Sequence, residues 1–241
     1  MLSGRLVSRA YLTDFIIGKP KTKTSINTGE TRRSDMIRHG IDISHWNKII
    51  NYDRIAKSVD FIIMKVGGSD KGFYMDREFM KNYIALHHER DIPCGAYYFV
   101  GRNCIDRKSG ETDAFKMIDM ISGLTFEYPI YIDLEATSPK HREGATEACI
   151  GFCEVLESAG YYAGIYASDV SGFRERLCID RLGSYDKWVA RYGAQPKYVK
   201  EYGIWQKSST GKIDGIIGNV DLNESYKDYP SIMKRAHLNG Y

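Results

Sequence analysis

From residue 40 onward, short apolar runs alternate with amphipathic stretches, and this alternation constrains the fold more than any other feature of the chain. Such alternation is typical of βα units and a parallel sheet. We predict eight strands, over residues 40–44, 60–66, 94–100, 129–135, 163–167, 187–192, 203–207 and 219–223. Helices are predicted after the first five strands, over residues 51–58, 76–90, 109–122, 145–159 and 170–177. Eight strands are enough to close a barrel, although the missing late helices predict a distorted one.

Composition and charge exclude several classes of protein. The chain has 241 residues, 43% of them apolar and 27% charged, which suits a single α/β barrel domain. A net charge of +3 is too small for a chain that binds nucleic acid through its overall charge. No run approaches the ~18 apolar residues of a membrane span. We therefore expect neither a nucleic-acid partner nor a membrane partner.

The first 38 residues differ in composition from the rest. Residues 1–40 hold eight Lys and Arg against three Asp and Glu. We interpret 1–38 as a basic N-terminal extension or linker that could dock on a protein partner, and 39–241 as the barrel domain. Asp14 and Lys19 interrupt the early apolar patch, so no signal peptide is recognisable. Five cysteines without a zinc or CxxC spacing indicate synthesis in the reducing cytoplasm.

The fourth predicted strand, residues 129–135, carries the clearest chemistry. A period of two puts Tyr131, Asp133 and Glu135 on one face and leaves the other face apolar. The two carboxylates would be about 7 Å apart at the backbone. Like charges this close raise one pKa, which suits a protonated general acid beside an ionised partner. The alternative is an exposed strand end with two solvated acids.

The other predicted strands place special residues on the matching face: Asp42, Lys65, Tyr97, Tyr166, and Asp221 flanked by Asn219 and Asn223. A barrel whose aliphatic faces meet the helices would point all of them inward, towards the strand ends where barrel active sites lie. Four carboxylates admit two chemistries: a divalent cation held by oxygen ligands, or glycoside hydrolysis. The aromatic lining favours a sugar ring.

Several sequence blocks occur in an order that resembles the glycoside hydrolase family 25 lysozymes. They are Asp42-Ile43-Ser44-His45-Trp46, Asp60 to Lys65, Gly95-Ala96-Tyr97-Tyr98-Phe99, Pro129 to Glu135, Gly164-Ile165-Tyr166, Trp188 to Tyr192, and Trp205-Gln206-Lys207-Ser208-Ser209 through Val220-Asp221-Leu222-Asn223. The resemblance covers residues 39–228. The chain departs from the family pattern at Asn47-Lys48, at Gly67-Gly68-Ser69-Asp70 and at Tyr98, but it retains all four acids.

The resemblance implies an irregular, TIM-like (β/α)5β3 barrel that cleaves the β-1,4 bond between N-acetylmuramic acid and N-acetylglucosamine in peptidoglycan, without a metal or a cofactor. Glu135 matches the general acid, and Asp133 matches the carboxylate that steers the acetamido group or stabilises charge. Asp42 and Asp221 match the other two catalytic acids of the cleft. The predicted substrate-binding residues are Tyr97, Tyr166, Lys65 and Trp205, and for Lys65 a salt bridge to the buried acids is an equal alternative.

Two other functions stay open from the sequence. One is a non-catalytic glycan-binding module on the same barrel, against which the Asp133 and Glu135 pair argues. The other is a structural virion component. The favoured reading is a cytoplasmically made endolysin or virion lysin that acts on the bacterial cell wall, with the peptidoglycan glycan strand as its partner.

Overall fold

The computed structural model describes residues 37–241. The strands are β1 Arg38–Ile43, β2 Lys48–Ile49, β3 Phe61–Gly68, β4 Tyr74–Met75, β5 Cys94–Phe99, β6 Ile130–Asp133, β7 Ala163–Ser168, β8 Asp186–Ala190, β9 Ile204–Gly211, β10 Ile216–Ile217 and β11 Val220–Ser225. The α-helices are α1 Tyr52–Ala56, α2 Phe79–Asn82, α3 Arg107–Ile121, α4 Arg142–Ser158 and α5 Tyr229–Ala236. Two π-helical turns, Tyr83–His88 and Asp169–Arg174, and two 3-10 turns, Pro139–His141 and Ile179–Leu182, complete the described elements.

Eight of these strands close a barrel. Strands β1, β3, β5, β6, β7, β8 and β9 run parallel around the wall. Strand β11 closes it between β9 and β1 and is antiparallel to both. The predicted eight-stranded α/β barrel is confirmed, and its irregularity has a structural cause. The last strands follow one another without crossover helices, so β11 returns in the opposite direction.

The element boundaries correct the sequence prediction in several places, among them the helix predicted over 170–177, which is the π-helical turn Asp169–Arg174. Strand β6 ends at Asp133, so Glu135 lies two residues beyond the strand and not within it. The helix predicted over 76–90 is a short α2 followed by a π-helical turn. Helix α5 was not predicted; it begins after Asp228, whose side chain accepts a hydrogen bond from the backbone N–H of Ser231.

Period-two alternation separates an interior core from an exterior one. The interior core is aromatic: the Trp188 ring lies 4.4 Å from Tyr166 and 5.4 Å from Tyr131, centroid to centroid. Residues of the opposite parity pack between the barrel wall and the helices. Helix α5 closes the floor of the barrel with the fully buried Tyr229 and Met233. The interior is therefore filled, and the open end lies at the carboxyl ends of the parallel strands.

The N-terminal extension predicted over 1–38 lies almost wholly outside the described residues, and strand β1 begins at Arg38. Within residues 37–241, no helix has both the length and the apolar character needed to cross a membrane.

Candidate active site

Asp42 and Asp221 form a carboxyl pair at the junction of β1 and β11. The antiparallel register sets the two residues directly opposite each other. Burial of Asp42 and, next, the negative charge of Asp221 raise the pKa of Asp42 from 3.8 to about 8. Burial also raises the pKa of Asp221. Two facing carboxyls in a partly desolvated site cannot both ionise at low cost, so the pair as a whole retains a proton to a higher pH than a lone carboxyl does.

Two amide side chains hold Asp42 in place. Gln206 Nε2 and Asn223 Nδ2 both donate hydrogen bonds to Asp42 Oδ2, at 2.9 and 2.8 Å. The orientation of Asn223 is set from behind, because its Oδ1 accepts a hydrogen bond from Trp188 Nε1 at 2.8 Å. The aromatic core of the barrel therefore orients the Asn223 amide, and this amide in turn holds the Asp42 carboxyl.

Gln206 is held in the same way by two tyrosines. Tyr166 and Tyr192 donate hydrogen bonds to Gln206 Oε1 at 2.9 and 3.1 Å, which leaves the amide N–H groups directed at Asp42. Tyr166 and Gln206 are buried, whereas Tyr192 is exposed at the mouth. This network is complete on both amides, and such networks rigidify a site.

Asp133 is the buried member of the second acid pair. It ends β6, is 4% exposed, and its Oδ1 has no hydrogen-bond partner among residues 37–241. Burial and then the charge of Glu135 raise its pKa well above 3.8, and the positive charge of Lys65 opposes this rise. An unpartnered buried carboxyl oxygen is costly in a folded protein, so Asp133 is held here at a cost in stability.

Glu135 is the exposed member of the pair. It extends into solvent at the mouth, just beyond the end of β6. The surrounding protein still raises its pKa through partial desolvation, while the charges of Lys65 and then Arg176 lower it. Arg176 Nε also donates to the backbone oxygen of Thr137 at 2.7 Å, which fixes the loop that follows Glu135. A reachable carboxyl with a raised pKa has the properties of a general acid.

Lys65 and Tyr97 line the interior between the acid pairs. Lys65 is 8% exposed, and its ammonium lies 4.6 Å from the centroid of the Phe99 ring. Phe99 is in register with Asp133 on the neighbouring strand. Tyr97 is half-buried, with its ring 5.8 Å from that of Trp188. Lys65 therefore supplies a desolvated positive charge near Asp133 and Glu135.

The structure does not bring Trp205 to this cluster, although the sequence predicted it among the substrate-binding residues. Ile204 belongs to the interior core and Gln206 binds Asp42, so strand periodicity places Trp205 on the outer face of β9. Its indole N–H donates to the backbone oxygen of Arg191 at 2.8 Å. Sequence reasoning missed Gln206 at the next position. Parity with Ile204 was the signal that could have found it.

The loop after β1 forms one rim of the mouth. His45 Nδ1 and Asp76 Oδ2 are 2.6 Å apart, and the His45 backbone N–H donates to the same oxygen at 3.1 Å. This contact anchors the loop that carries Trp46, whose side chain is 78% exposed and packs on the His45 ring at 4.5 Å. Trp46 is thus an aromatic surface held in place beside the acids.

The arrangement favours proton transfer over cation binding. Asp42 Oδ2 already accepts two amide hydrogen bonds, and Asp42, Asp133, Glu135 and Asp221 all have raised pKa values. A hard cation requires ionised oxygen ligands, and each retained proton competes with it. Acids whose pKa values are raised are suited to general acid catalysis.

Known proteins are similar to this chain in sequence and in fold. The sequence model of Glycosyl hydrolases family 25 matches residues 41–216. The uncharacterized protein YegX of Escherichia coli strain K12 is 26% identical over 194 residues, 77% of this chain and 68% of that protein. The autolytic lysozyme of Clostridium acetobutylicum is 22% identical over 187 residues, 77% of this chain and 55% of that protein. The CTP1L endolysin has the same fold, with a TM-score of 0.70 and 23% identity, over 82% of this chain and 70% of that one.

Proposed function

The chain belongs to glycosyl hydrolase family 25 and is a peptidoglycan hydrolase of the lysozyme type, and we propose that it cleaves the β-1,4 bond between N-acetylmuramic acid and N-acetylglucosamine with Glu135 as the general acid. The observation that carries the role of Glu135 is its combination of solvent exposure at the mouth and a raised pKa. An accessible acid whose pKa is raised holds its proton to a higher pH than an ordinary carboxyl and can deliver it to a leaving oxygen.

Glu135 protonates the glycosidic oxygen as the bond to the muramic acid sugar breaks. Positive charge then develops at the sugar carbon, and it is stabilised by nearby carboxyl oxygens. Lys65 and Arg176 tune this acid, because their charges limit the rise in its pKa and keep it able to release the proton.

Asp133 assists from the interior. We assign to its carboxyl the role of orienting the acetamido group of the substrate or of stabilising the charge that develops on it, and the unpartnered Oδ1 supports this assignment. Asp42 and Asp221 complete the acid set on the opposite side of the barrel. Their shared proton limits the total negative charge of the cleft, so that the pair offers one ionised carboxylate to the developing cation.

Aromatic and basic side chains hold the glycan. Tyr97, Tyr166 and Lys65 line the interior of the mouth, and Tyr166 also fixes Gln206. The exposed Trp46 adds an aromatic face on which a sugar ring can stack. We assign substrate contact to these residues, and we assign Trp205 a structural role on the outer face of β9.

The test compares Glu135→Gln with wild type on purified peptidoglycan. We expect the variant to lose about 10²–10⁴-fold in the rate of turbidity loss and to retain binding to the insoluble glycan. Glu201→Gln, a change of the same type on an exposed loop, is the matched control and should keep full activity. Mass spectrometry of the released fragments should show N-acetylmuramic acid at the new reducing ends. Near-normal lysis by Glu135→Gln would refute the assignment.

The action on the cell wall follows from the family. We further propose that this action serves host lysis, or penetration by a virion that carries the enzyme. Docking of residues 1–38 on a protein partner stays a prediction. Deletion of 1–38 should leave peptidoglycan cleavage unchanged, because every residue assigned to the cleft lies after residue 40. A large loss of cleavage in that deletion would contradict it.

A further inference from the structure

Three potential metal ligands of different chemistry meet at the floor of the barrel, away from the acids. They are His87, Cys94 and Glu127, here called the floor cluster, and their ligand atoms all lie within 4.8 Å of one another. His87 belongs to the π-helical turn after α2, Cys94 is the first residue of β5, and Glu127 precedes β6. The cluster is therefore at the amino ends of the strands, whereas the acid pairs lie at the carboxyl ends.

The donor set and its spacing suit zinc. Imidazole nitrogen, thiolate sulfur and carboxylate oxygen are the three ligand types that Zn²⁺ accepts in proteins. His87 Nε2 and Glu127 Oε1 are 3.2 Å apart, close to the separation of about 3.3 Å that two such ligands have around a tetrahedral zinc. A nitrogen and a sulfur around the same ion are about 3.6 Å apart, so Cys94 needs a shift of at most about 1 Å.

The surroundings of the cluster resemble the outer contacts of a metal site. The backbone N–H of Cys94 donates to Glu127 Oε2 at 3.0 Å, and the hydroxyl of Tyr241 donates to Glu127 Oε1. Such partners orient a ligating carboxylate. Cys94 is fully buried, but His87 is partly exposed and gives an ion a route inwards.

The π-helical turn independently indicates that His87 occupies a functional position. The hydrogen bond from Glu89 N to Ile84 O closes a wider turn than an α-helix would, and the wider turn changes the direction in which His87 points. Turns of this kind lower helix regularity and occur frequently at functional sites. Here the turn carries the side chain that contacts Glu127.

We propose that the floor cluster binds one zinc ion, with His87, Cys94 and Glu127 as its protein ligands. A neutral imidazole, one thiolate and one carboxylate together neutralise the charge of Zn²⁺, and binding releases the thiol proton of Cys94. The ion would connect the starts of β5 and β6 through Cys94 and Glu127. Tyr241 would be held at the same place, because its hydroxyl is hydrogen-bonded to Glu127. Its role is to stabilise the floor of the barrel, and the proposal is independent of the chemistry at the mouth.

The test is titration of the full chain with cobalt(II), which reports thiolate coordination by its absorption. We expect one equivalent of cobalt to give a near-ultraviolet thiolate charge-transfer band and the visible bands of tetrahedral cobalt. Cys94→Ser should abolish the charge-transfer band. Cys178→Ser is the matched control and should retain it, because Cys178 Sγ lies 3.0 Å from Glu143 Oε1 and is a thiol and carboxylate pair outside the cluster.

A second measurement protects the test against misfolding of Cys94→Ser. His87→Gln keeps the thiol of Cys94. Loss of a residue that only hydrogen-bonds to a metal ligand lowers metal affinity by about 10–100-fold, so loss of the ligand His87 itself should lower cobalt affinity by at least that factor. Zinc at a hundred times its Kd should raise the thermal midpoint of wild type and of Cys178→Ser by about 5–11 °C, with no comparable rise in His87→Gln. Absence of the thiolate band in wild type, or its loss in Cys178→Ser, would overturn the proposal.

Discussion

The shared proton of the Asp42 and Asp221 pair makes a quantitative prediction about stability. The pKa of Asp42 is about 8 in the folded protein, against 3.8 for the ordinary carboxyl. Between these values the folded state binds a proton that the unfolded state releases. The stability that Asp42 contributes is therefore complete below about pH 3.8 and is lost as the pH rises towards 8.

Asp42→Asn removes this dependence, because the amide that replaces the carboxyl does not titrate. One extra proton bound by the folded state corresponds to about 1.4 kcal/mol per pH unit. From pH 5 to pH 7, the free energy of unfolding of wild type should thus fall by about 2.5 kcal/mol relative to the variant. Asp133 and Glu135 are present in both proteins, and Asp221 is coupled to Asp42, so the difference reports on the titration of the Asp42 and Asp221 pair.

Urea unfolding at pH 5, 6 and 7 measures this difference, with the m-value checked at each pH. Asp106→Asn is the matched control. The backbone N–H of Ser109 lowers the pKa of Asp106, so this carboxyl is ionised in both states above pH 5, and its difference from wild type should stay flat. Asparagine also keeps the helix cap at this position. A flat difference between wild type and Asp42→Asn would show that Asp42 is ionised in the folded protein.

Two further predictions concern the residues around the acids. Arg176→Ala removes a positive charge that lowers the pKa of Glu135, so the basic limb of the pH profile of kcat/KM should move to higher pH. A shift to lower pH would contradict the proposed tuning. Gln206→Leu removes one of the two hydrogen bonds to Asp42 Oδ2 and leaves the Tyr166 hydroxyl without its acceptor, and urea unfolding should show a loss of about 1–3 kcal/mol. A loss below about 0.5 kcal/mol would mean that water or a neighbour replaces the amide.

The barrel was predictable because its signals are local. Each strand and each helix is indicated by the pattern of a few consecutive residues. Parallel strands joined by crossover helices then allow only a few topologies. The same parity predicted that Asp42, Lys65 and Asp133 face one interior. No local sequence pattern indicated the direction of β11. That direction depends on the pairing of β11 with β1 and β9, which are distant from each other in the chain.

The assignment of Glu135 shows where local reasoning reaches its limit. As a residue within the strand it would share the burial of Asp133. Because β6 ends at Asp133, the two acids differ instead: one is buried with an unpartnered oxygen, and the other is exposed. The position of Trp205 outside the acid cluster has the same origin. Trp205 was predicted to line the cleft because it is aromatic and belongs to a motif of the family. The alternation of β9 instead directs Gln206 into the interior.

The sequence by itself determined the number of barrel strands, the faces that they bury and the carboxyls that can meet, since these depend on residue order and side-chain polarity. Tertiary structure alone decided which acids have raised pKa values, because that depends on the register that sets Asp42 against Asp221 and on the burial of each carboxyl. It also brought His87, Cys94 and Glu127 together from three separate elements. Electrostatic coupling and ligand geometry act over a few ångströms in space, and distance along the chain does not report them.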